Sequence, residues 1–338
     1  MTIPSTSRWI LFLPLIAVAF GQAAKEKIVV VGLDEAAVAQ LRKSAPPTVR
    51  LVTPLPGQVA DELGNADAFI SPQLNRDLLH AGKRLRWVQI LNAGVEDVLP
   101  LLKETNIALT NLKVVLGPEV ADHAMALLLA LTRGLNETIP ARGKWEQPEN
   151  IAQLTELDGK TAVIVGVGGV GTQIAARAAA FGMTILGVDP KDAPPASVIQ
   201  QMVKPNQIDT VLPRADVVFV TVPETPATKG MIGAAQFQEM KRGAYFIAVS
   251  RGSVYSMDAL VQALASRRLA GAGVDVTDPE PLPKNHPLWK FKNVVITPHI
   301  AGASDRSLTR VLDLLRENIN RFAAGSPLLN TVDKKQGY

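Results

Sequence analysis

Three side chains in this sequence form a complementary chemical set. They are Arg251 in Ser250-Arg251-Gly252, Glu280 in Asp278-Pro279-Glu280-Pro281-Leu282, and His299 in Thr297-Pro298-His299-Ile300-Ala301-Gly302. A guanidinium offers a planar fork that pairs bidentately with a carboxylate and polarises a carbonyl beside it. An imidazole exchanges protons near neutrality, and a carboxylate partner favours its charged form. Together they could grip a small oxo acid and deliver a proton to its oxygen. Singly, each has a plainer reading: a surface ion pair for Arg251, a solvated loop acid for Glu280, a turn cap for His299. What sets them apart is that each comes shortly after an apolar, β-branched run: Ala244–Val249, Gly273–Val276 and Val294–Thr297. In an open parallel α/β sheet, ligands bind just beyond the carboxyl ends of the strands. The remaining histidines are expected to be structural, with His80 and His123 in helices away from this chemistry and His286 in a Pro-rich loop.

The elements that must carry these residues come in two series. From Lys27 the pattern alternates strand-like runs with helical periods: a strand over 27–33, a helix from Asp34 to Lys43 with Asp34 as N-cap, then strands at Arg50–Thr53, Ala66–Ile70, Trp87–Leu91 and Ile107–Thr110. A long helix is predicted from Glu119 to about Asn136, opened by Gly117-Pro118. The second series adds Ala162–Val165, Thr184–Val188 and Val217–Val222 to the three runs above, giving six predicted parallel strands. A last amphipathic helix is expected over about 304–323. This is an α/β chain with two doubly wound parallel sheets.

Gly166-Val167-Gly168-Gly169-Val170-Gly171 lies between the strand Ala162–Val165 and a predicted helix Thr172–Phe181. The first glycine allows a tight turn, the second lets backbone approach a pyrophosphate, and the third lets helix and strand pack closely. Asp189 ends the next strand, where a carboxylate accepts hydrogen bonds from an adenosine ribose and repels a 2′-phosphate. NAD is therefore expected over NADP, with Lys191 placed to soften the discrimination. A bound nicotinamide would make the Arg–Glu–His set one for hydride transfer to and from a small 2-oxo acid.

Composition fits this reading and excludes others. The chain has 338 residues, 47% hydrophobic and 20% charged, which suits two domains and excludes a disordered class. There are no cysteines and four histidines, so thiolate chemistry is excluded and no metal site is expected. The +4 charge is dispersed, with no basic run interleaved with aromatics, so no nucleic-acid partner is expected. Arg8, the apolar stretch Trp9–Phe20 and the small residues Ala19, Gly21, Ala23 and Ala24 read as an export signal or anchor over residues 1–24. The stretch is short for a membrane span, and it leaves a periplasmic, exported or anchored location open beside a cytoplasmic one.

The motifs around Arg251, Ala270-Gly-Ala-Gly-Val-Asp275, Pro279-Glu-Pro-Leu282 and Thr297–Gly302 resemble the D-isomer-specific 2-hydroxyacid dehydrogenases. The segments Trp87–Val95, Ala121–Ala124, Pro223–Gly233 and Val332–Tyr338 fit the same family. The resemblance, which covers about residue 27 to 338, implies a flavodoxin-like substrate domain (25–113 and 303–338) interrupted by a Rossmann NAD-binding domain (114–302). It implies that Arg251 binds the substrate carboxylate and carbonyl, that His299 is the general acid/base, and that Glu280 hydrogen-bonds His299 and raises its pKa. Asn92, Ala93 and Gly94 would offer backbone donors to the substrate. Gly169 and Val170 would meet the pyrophosphate, and Asp275 the nicotinamide carboxamide. Val222, Pro223, Thr228, Val249, Ser250 and Gly302 would complete the cofactor site. The helix from Glu119 resembles the family's dimer helix, so a homodimer is implied. The sequence departs from the family at Ala248, where Asn is usual, and at Asp122, where Glu is usual. The alternative function is a dinucleotide-sensing binding protein of the same fold with little turnover.

Overall fold

In a computed structural model, residues 26–338 are described apart from 146, 148–150, 152–153 and 192–196. The head expected to direct export lies outside the described residues. The described strands are β1 (Glu26–Val30), β2 (Val49–Val52), β3 (Ala68–Ser71), β4 (Trp87–Ile90), β5 (Ala108–Thr110), β6 (Thr161–Val165), β7 (Thr184–Val188), β8 (Ile199–Val203), β9 (Val217–Val220), β10 (Ala244–Ala248), β11 (Leu269–Val274) and β12 (Val294–Ile296). The helices are α1 (Glu35–Ser44), α2 (Val59–Leu63), α3 (Arg76–Ala81), α4 (Leu99–Leu102), α5 (Gly117–Thr132), α6 (Leu135–Thr138), α7 (Gly169–Ala180), α8 (Ala234–Glu239), α9 (Met257–Ala265) and α10 (Ser307–Ala323).

Two parallel sheets result. The first has the order β2-β1-β3-β4-β5, and the second β12-β11-β10-β9-β6-β7-β8. The first order is flavodoxin-like, and the second reverses direction between β6 and β9, as a dinucleotide-binding sheet does. The central strands are apolar without interruption because helices cover both faces; β10, for example, is buried at all of Ala244–Ala248. The second sheet has seven strands where six were expected. The missing one, β8, is an edge strand of sequence Ile-Gln-Gln-Met-Val with only Val203 buried, so it lacks the apolar run that marks its neighbours.

α1 forms as expected: the Asp34 carboxylate accepts from the Ala37 amide at 2.7 Å, and Arg42 and Lys43 occupy the last turn. The predicted long helix is shorter than expected. α5 ends at Thr132, and Gly134 turns the chain in the left-handed region (φ 67°) before the separate helix α6. α5 lies close against β11 because Gly271 and Gly273 carry no side chain; a Cβ on Gly273 would stand 2.8 Å from Leu127 Cβ.

α10 packs on the first sheet although it follows the second. Val311, Leu312, Leu314, Leu315, Ile319 and Phe322 join the core of Ile28, Val30, Leu41, Ile70 and Trp87. Each such burial is worth about 1.5–3 kcal/mol. A buried polar chain fixes the register. Asn318 Nδ2 donates to Gln89 Oε1 at 3.3 Å, the Thr110 hydroxyl donates to the same oxygen at 2.7 Å, and Trp87 Nε1 donates to Thr110 Oγ1 at 2.8 Å. Those bonds hold the end of β4, from which the loop 91–94 emerges. Among the described residues no helix is long and apolar enough to cross a membrane.

Candidate active site

The glycine loop follows β6 as the sequence predicts, although α7 starts at Gly169 rather than Thr172. Gly166 turns at φ 99°, and a Cβ on Gly171 would run into the Gly166 carbonyl oxygen. A Cβ on Gly168, by contrast, would meet nothing within 4 Å. No protein contact therefore demands glycine at 168; open space in front of the backbone is what a pyrophosphate requires. No side chain caps the N-terminus of α7, so its first amides are left for an anion. Across the switch point the Thr221 hydroxyl donates to the Gly166 carbonyl at 2.6 Å. The Pro223–Thr228 turn closes on itself, with the Thr228 hydroxyl donating to the Pro223 carbonyl at 2.6 Å, below the buried Val222. The residues present fit a dinucleotide.

Asp189 stands at the end of β7 and braces the loop. Its Oδ2 accepts from the Val167 amide at 2.8 Å and its Oδ1 from the Lys191 amide at 2.9 Å, leaving further lone pairs for ribose hydroxyls. Lys191 Nζ lies 4.5 Å from the centroid of the Tyr338 ring. Burial and then the charges of Asp189 and Asp333 push the Tyr338 phenol up. Burial and then Lys191 push the Lys113 ammonium down.

The three strand-end residues converge because β10, β11 and β12 are neighbours. His299 Nδ1 lies 2.8 Å from Glu280 Oε2, and Glu280 Oε1 accepts from the Thr277 amide at 3.0 Å. Arg251 Nη1 donates to the Ser250 carbonyl at 2.7 Å. Gly252 packs directly on Thr277, where any side chain would collide. The Tyr255 hydroxyl donates to the Val276 carbonyl at 2.6 Å, and burial pushes that phenol far up, followed by the charges of Glu280 and Asp278. Beside the buried Val249, the Ser250 hydroxyl oxygen is buried and has no hydrogen-bond partner among the described residues, which also suits a ligand group.

Asp275 has a role the sequence did not reveal. Its side chain is 1% exposed, and its carboxylate accepts from the Thr297 hydroxyl (2.6 Å) and from the Ile300 (3.0 Å) and Ala301 (2.9 Å) amides. It anchors the loop that carries His299 and continues to Gly302. His123 is structural but not remote, which corrects the expectation: its Nε2 lies 2.9 Å from Thr297 Oγ1, behind the same loop. His286 caps a short turn, with Nδ1 accepting from the Leu288 amide at 3.3 Å.

The first sheet brings the loop after β4 to this group. Asn92 Nδ2 donates to the Pro72 carbonyl at 3.3 Å, and Asn111 Nδ2 to the Ala93 carbonyl at 2.6 Å. Gly94 faces the Arg251 guanidinium so closely that a Cβ there would overlap Nη2. Two residues farther on, Glu96 forms an ion pair with Arg251 Nε. Glu96 was not singled out from the sequence, because an acid two residues past a glycine carries no distinguishing pattern. No group of histidine and acidic residues suited to a metal occurs among the described residues.

This geometry, with a glycine loop on one sheet and an arginine on the strand end next to a Glu-paired histidine, defines a nicotinamide-dinucleotide oxidoreductase of two α/β units. The family profile described as D-isomer specific 2-hydroxyacid dehydrogenase, NAD binding domain, matches residues 125–301. A protein named glyoxylate reductase from Thermofilum pendens is 34% identical over 272 residues, which is 79% of this chain and 80% of that protein. The crystal structure of a D-isomer specific 2-hydroxyacid dehydrogenase family protein from Aeromonas salmonicida superposes with a TM-score of 0.80 at 27% identity, covering 92% of this chain and 99% of that one. An NADPH-dependent glyoxylate/hydroxypyruvate reductase from Sinorhizobium meliloti, solved with NADP and sulfate, gives 0.78 at 26% identity, covering 93% and 100%. The chain belongs to the D-isomer-specific 2-hydroxyacid dehydrogenases.

Proposed function

We propose that the protein reduces a small 2-oxo acid of the glyoxylate, hydroxypyruvate or pyruvate type to its D-2-hydroxy acid, and catalyses the reverse oxidation, with NAD as cofactor. The observation that carries this reading is the His299–Glu280 pair at 2.8 Å, set on strand ends next to that of Arg251. The dinucleotide, when bound, supplies or accepts the hydride. Gly168, Gly169 and Val170 hold its pyrophosphate, and Asp189 takes the ribose hydroxyls and disfavours a 2′-phosphate. Arg251 grips the substrate carboxylate and polarises the adjacent carbonyl, with the amides of Ala93 and Gly94 as further donors. His299 Nε2 donates the proton to the carbonyl oxygen during reduction and removes it during oxidation. Glu280 fixes the other ring nitrogen and so keeps Nε2 facing the substrate. Hinge closure between the two units excludes water.

Exposed apolar side chains at Leu135 (42%), Ile139 (61%), Trp145 (103%) and Ile151 (48%) follow α5 and support a homodimer formed through this face. The charged and apolar head supports export or membrane anchoring, which cell fractionation of the full chain tests.

The experiment is loss of NADH absorbance with a panel of 2-oxo acids. Tight NADH binding with no turnover on any of them favours the dinucleotide-sensing alternative. In the His299→Ala protein, kcat should fall about a hundredfold or more while the NADH Kd stays within about twofold. Loss of NADH binding with a normal rate per bound cofactor would overturn the assignment.

A further inference from the structure

The Glu96–Arg251 ion pair joins the two units through the residue assigned to the substrate carboxylate. Both side chains are 27% exposed, so the pair is partly withdrawn from water. Arg251 Nη1 is already held by the Ser250 carbonyl at 2.7 Å, and Nε is held by Glu96. Nη2 faces Gly94, the only kind of residue that leaves room there. A substrate carboxylate approaching Nη2 and the amides of Ala93 and Gly94 must therefore share one guanidinium with a protein carboxylate.

We propose that Glu96 is a specificity-determining residue. It occupies the Arg251 fork before substrate arrives and then stands as an anion beside the bound acid. It thereby admits monoanionic 2-oxo acids with a small neutral or hydroxylated tail and rejects those with a second carboxylate or a phosphate. A substrate with one negative charge brings two anions to one guanidinium; a doubly charged one brings three. Like charges brought together in a partly desolvated site oppose binding strongly. A hydroxyl on the third carbon meets the opposite situation, because the displaced Glu96 oxygen can accept its hydrogen bond.

The proposal rests on the assignment of Arg251 made above, so the test separates the two. Turnover of glyoxylate (monoanion) and oxaloacetate (dianion) is compared in wild type, Glu96→Gln and Glu96→Asp. Titrations of the NADH-loaded proteins with oxamate and oxalate add a readout that needs no turnover. In Glu96→Gln the KM for glyoxylate should fall about threefold or more with kcat little changed. Its preference for the monoanion over the dianion, in both kcat/KM and binding, should shrink about tenfold. Glu96→Asp, which keeps the charge, should retain the wild-type preference. Retained NADH binding shows that each variant is folded. An unchanged preference in Glu96→Gln, or a raised KM, overturns the proposal while the reductase reading stands. Wild type that neither reduces any 2-oxo acid nor binds oxamate overturns the reductase reading, and the role of Glu96 falls with it.

Discussion

His299 adopts φ 53°, in the left-handed region that non-glycine residues seldom enter. The chain holds it there by two backbone bonds from its amide, to the Asp275 carbonyl at 2.9 Å and the Thr297 carbonyl at 3.1 Å, and by the Asp275 carboxylate on the next two amides. Such conformations persist where the surroundings over-determine them, often at functional sites. Glu280 completes the restraint from the ring side. A glutamine side chain in its place can present either its oxygen or its NH2 group to Nδ1, so the preference for one tautomer weakens. Glu280→Gln should therefore lower kcat about a hundredfold while leaving NADH affinity near wild type, as single-turnover and equilibrium binding measurements would show. A kcat within twofold of wild type would show that Glu280 does not orient the imidazole.

At the scale of elements, the glycine loop separates what the fold needs from what the ligand needs. Gly171 is required by the Gly166 carbonyl, whereas Gly168 is required by nothing in the protein within 4 Å. Gly171→Ala should lower Tm by several degrees, since an overlap with backbone costs about 1–3 kcal/mol. Gly168→Ala should leave Tm within about a degree and still weaken NADH binding about tenfold or more, if the pyrophosphate lies where we propose and the added methyl group intrudes on it. Calorimetry and NADH titration of the two variants distinguish these effects. Equal Tm losses, or intact NADH binding in Gly168→Ala, would contradict this division. The strand ends also show why element order was readable. Continuous apolar runs mark β6, β9 and β10, which are buried on both faces, while the polar edge strand β8 escaped notice.

Across the whole molecule, the last helix returns to the first sheet and ties the two units at their junction. Glu119 on α5, 6% exposed, accepts from the Ser307 hydroxyl at 2.8 Å and from Arg310 Nη2 at 2.5 Å on the α10 side. The exposed apolar side chains that follow α5 are the other large-scale feature. Ile139→Glu places a charge among these exposed apolar side chains and should convert the proposed dimer to monomer, halving the mass seen by sedimentation without lowering NADH affinity. A wild-type protein that sediments at the mass of one chain would remove the dimer proposal.

The alternation of strands and helices, the glycine loop with Asp189, and the positions of Arg251, Glu280 and His299 past strand ends are all legible along the chain. Those features are local, since hydrophobic period, glycine spacing and motif order are written along the chain. Which groups meet is a matter of packing in three dimensions. Asp275 and His123 gather behind the His299 loop, and Glu96 reaches Arg251 from 155 residues away. Such pairings depend on where two separate sheets come to rest, and no spacing along one chain encodes that.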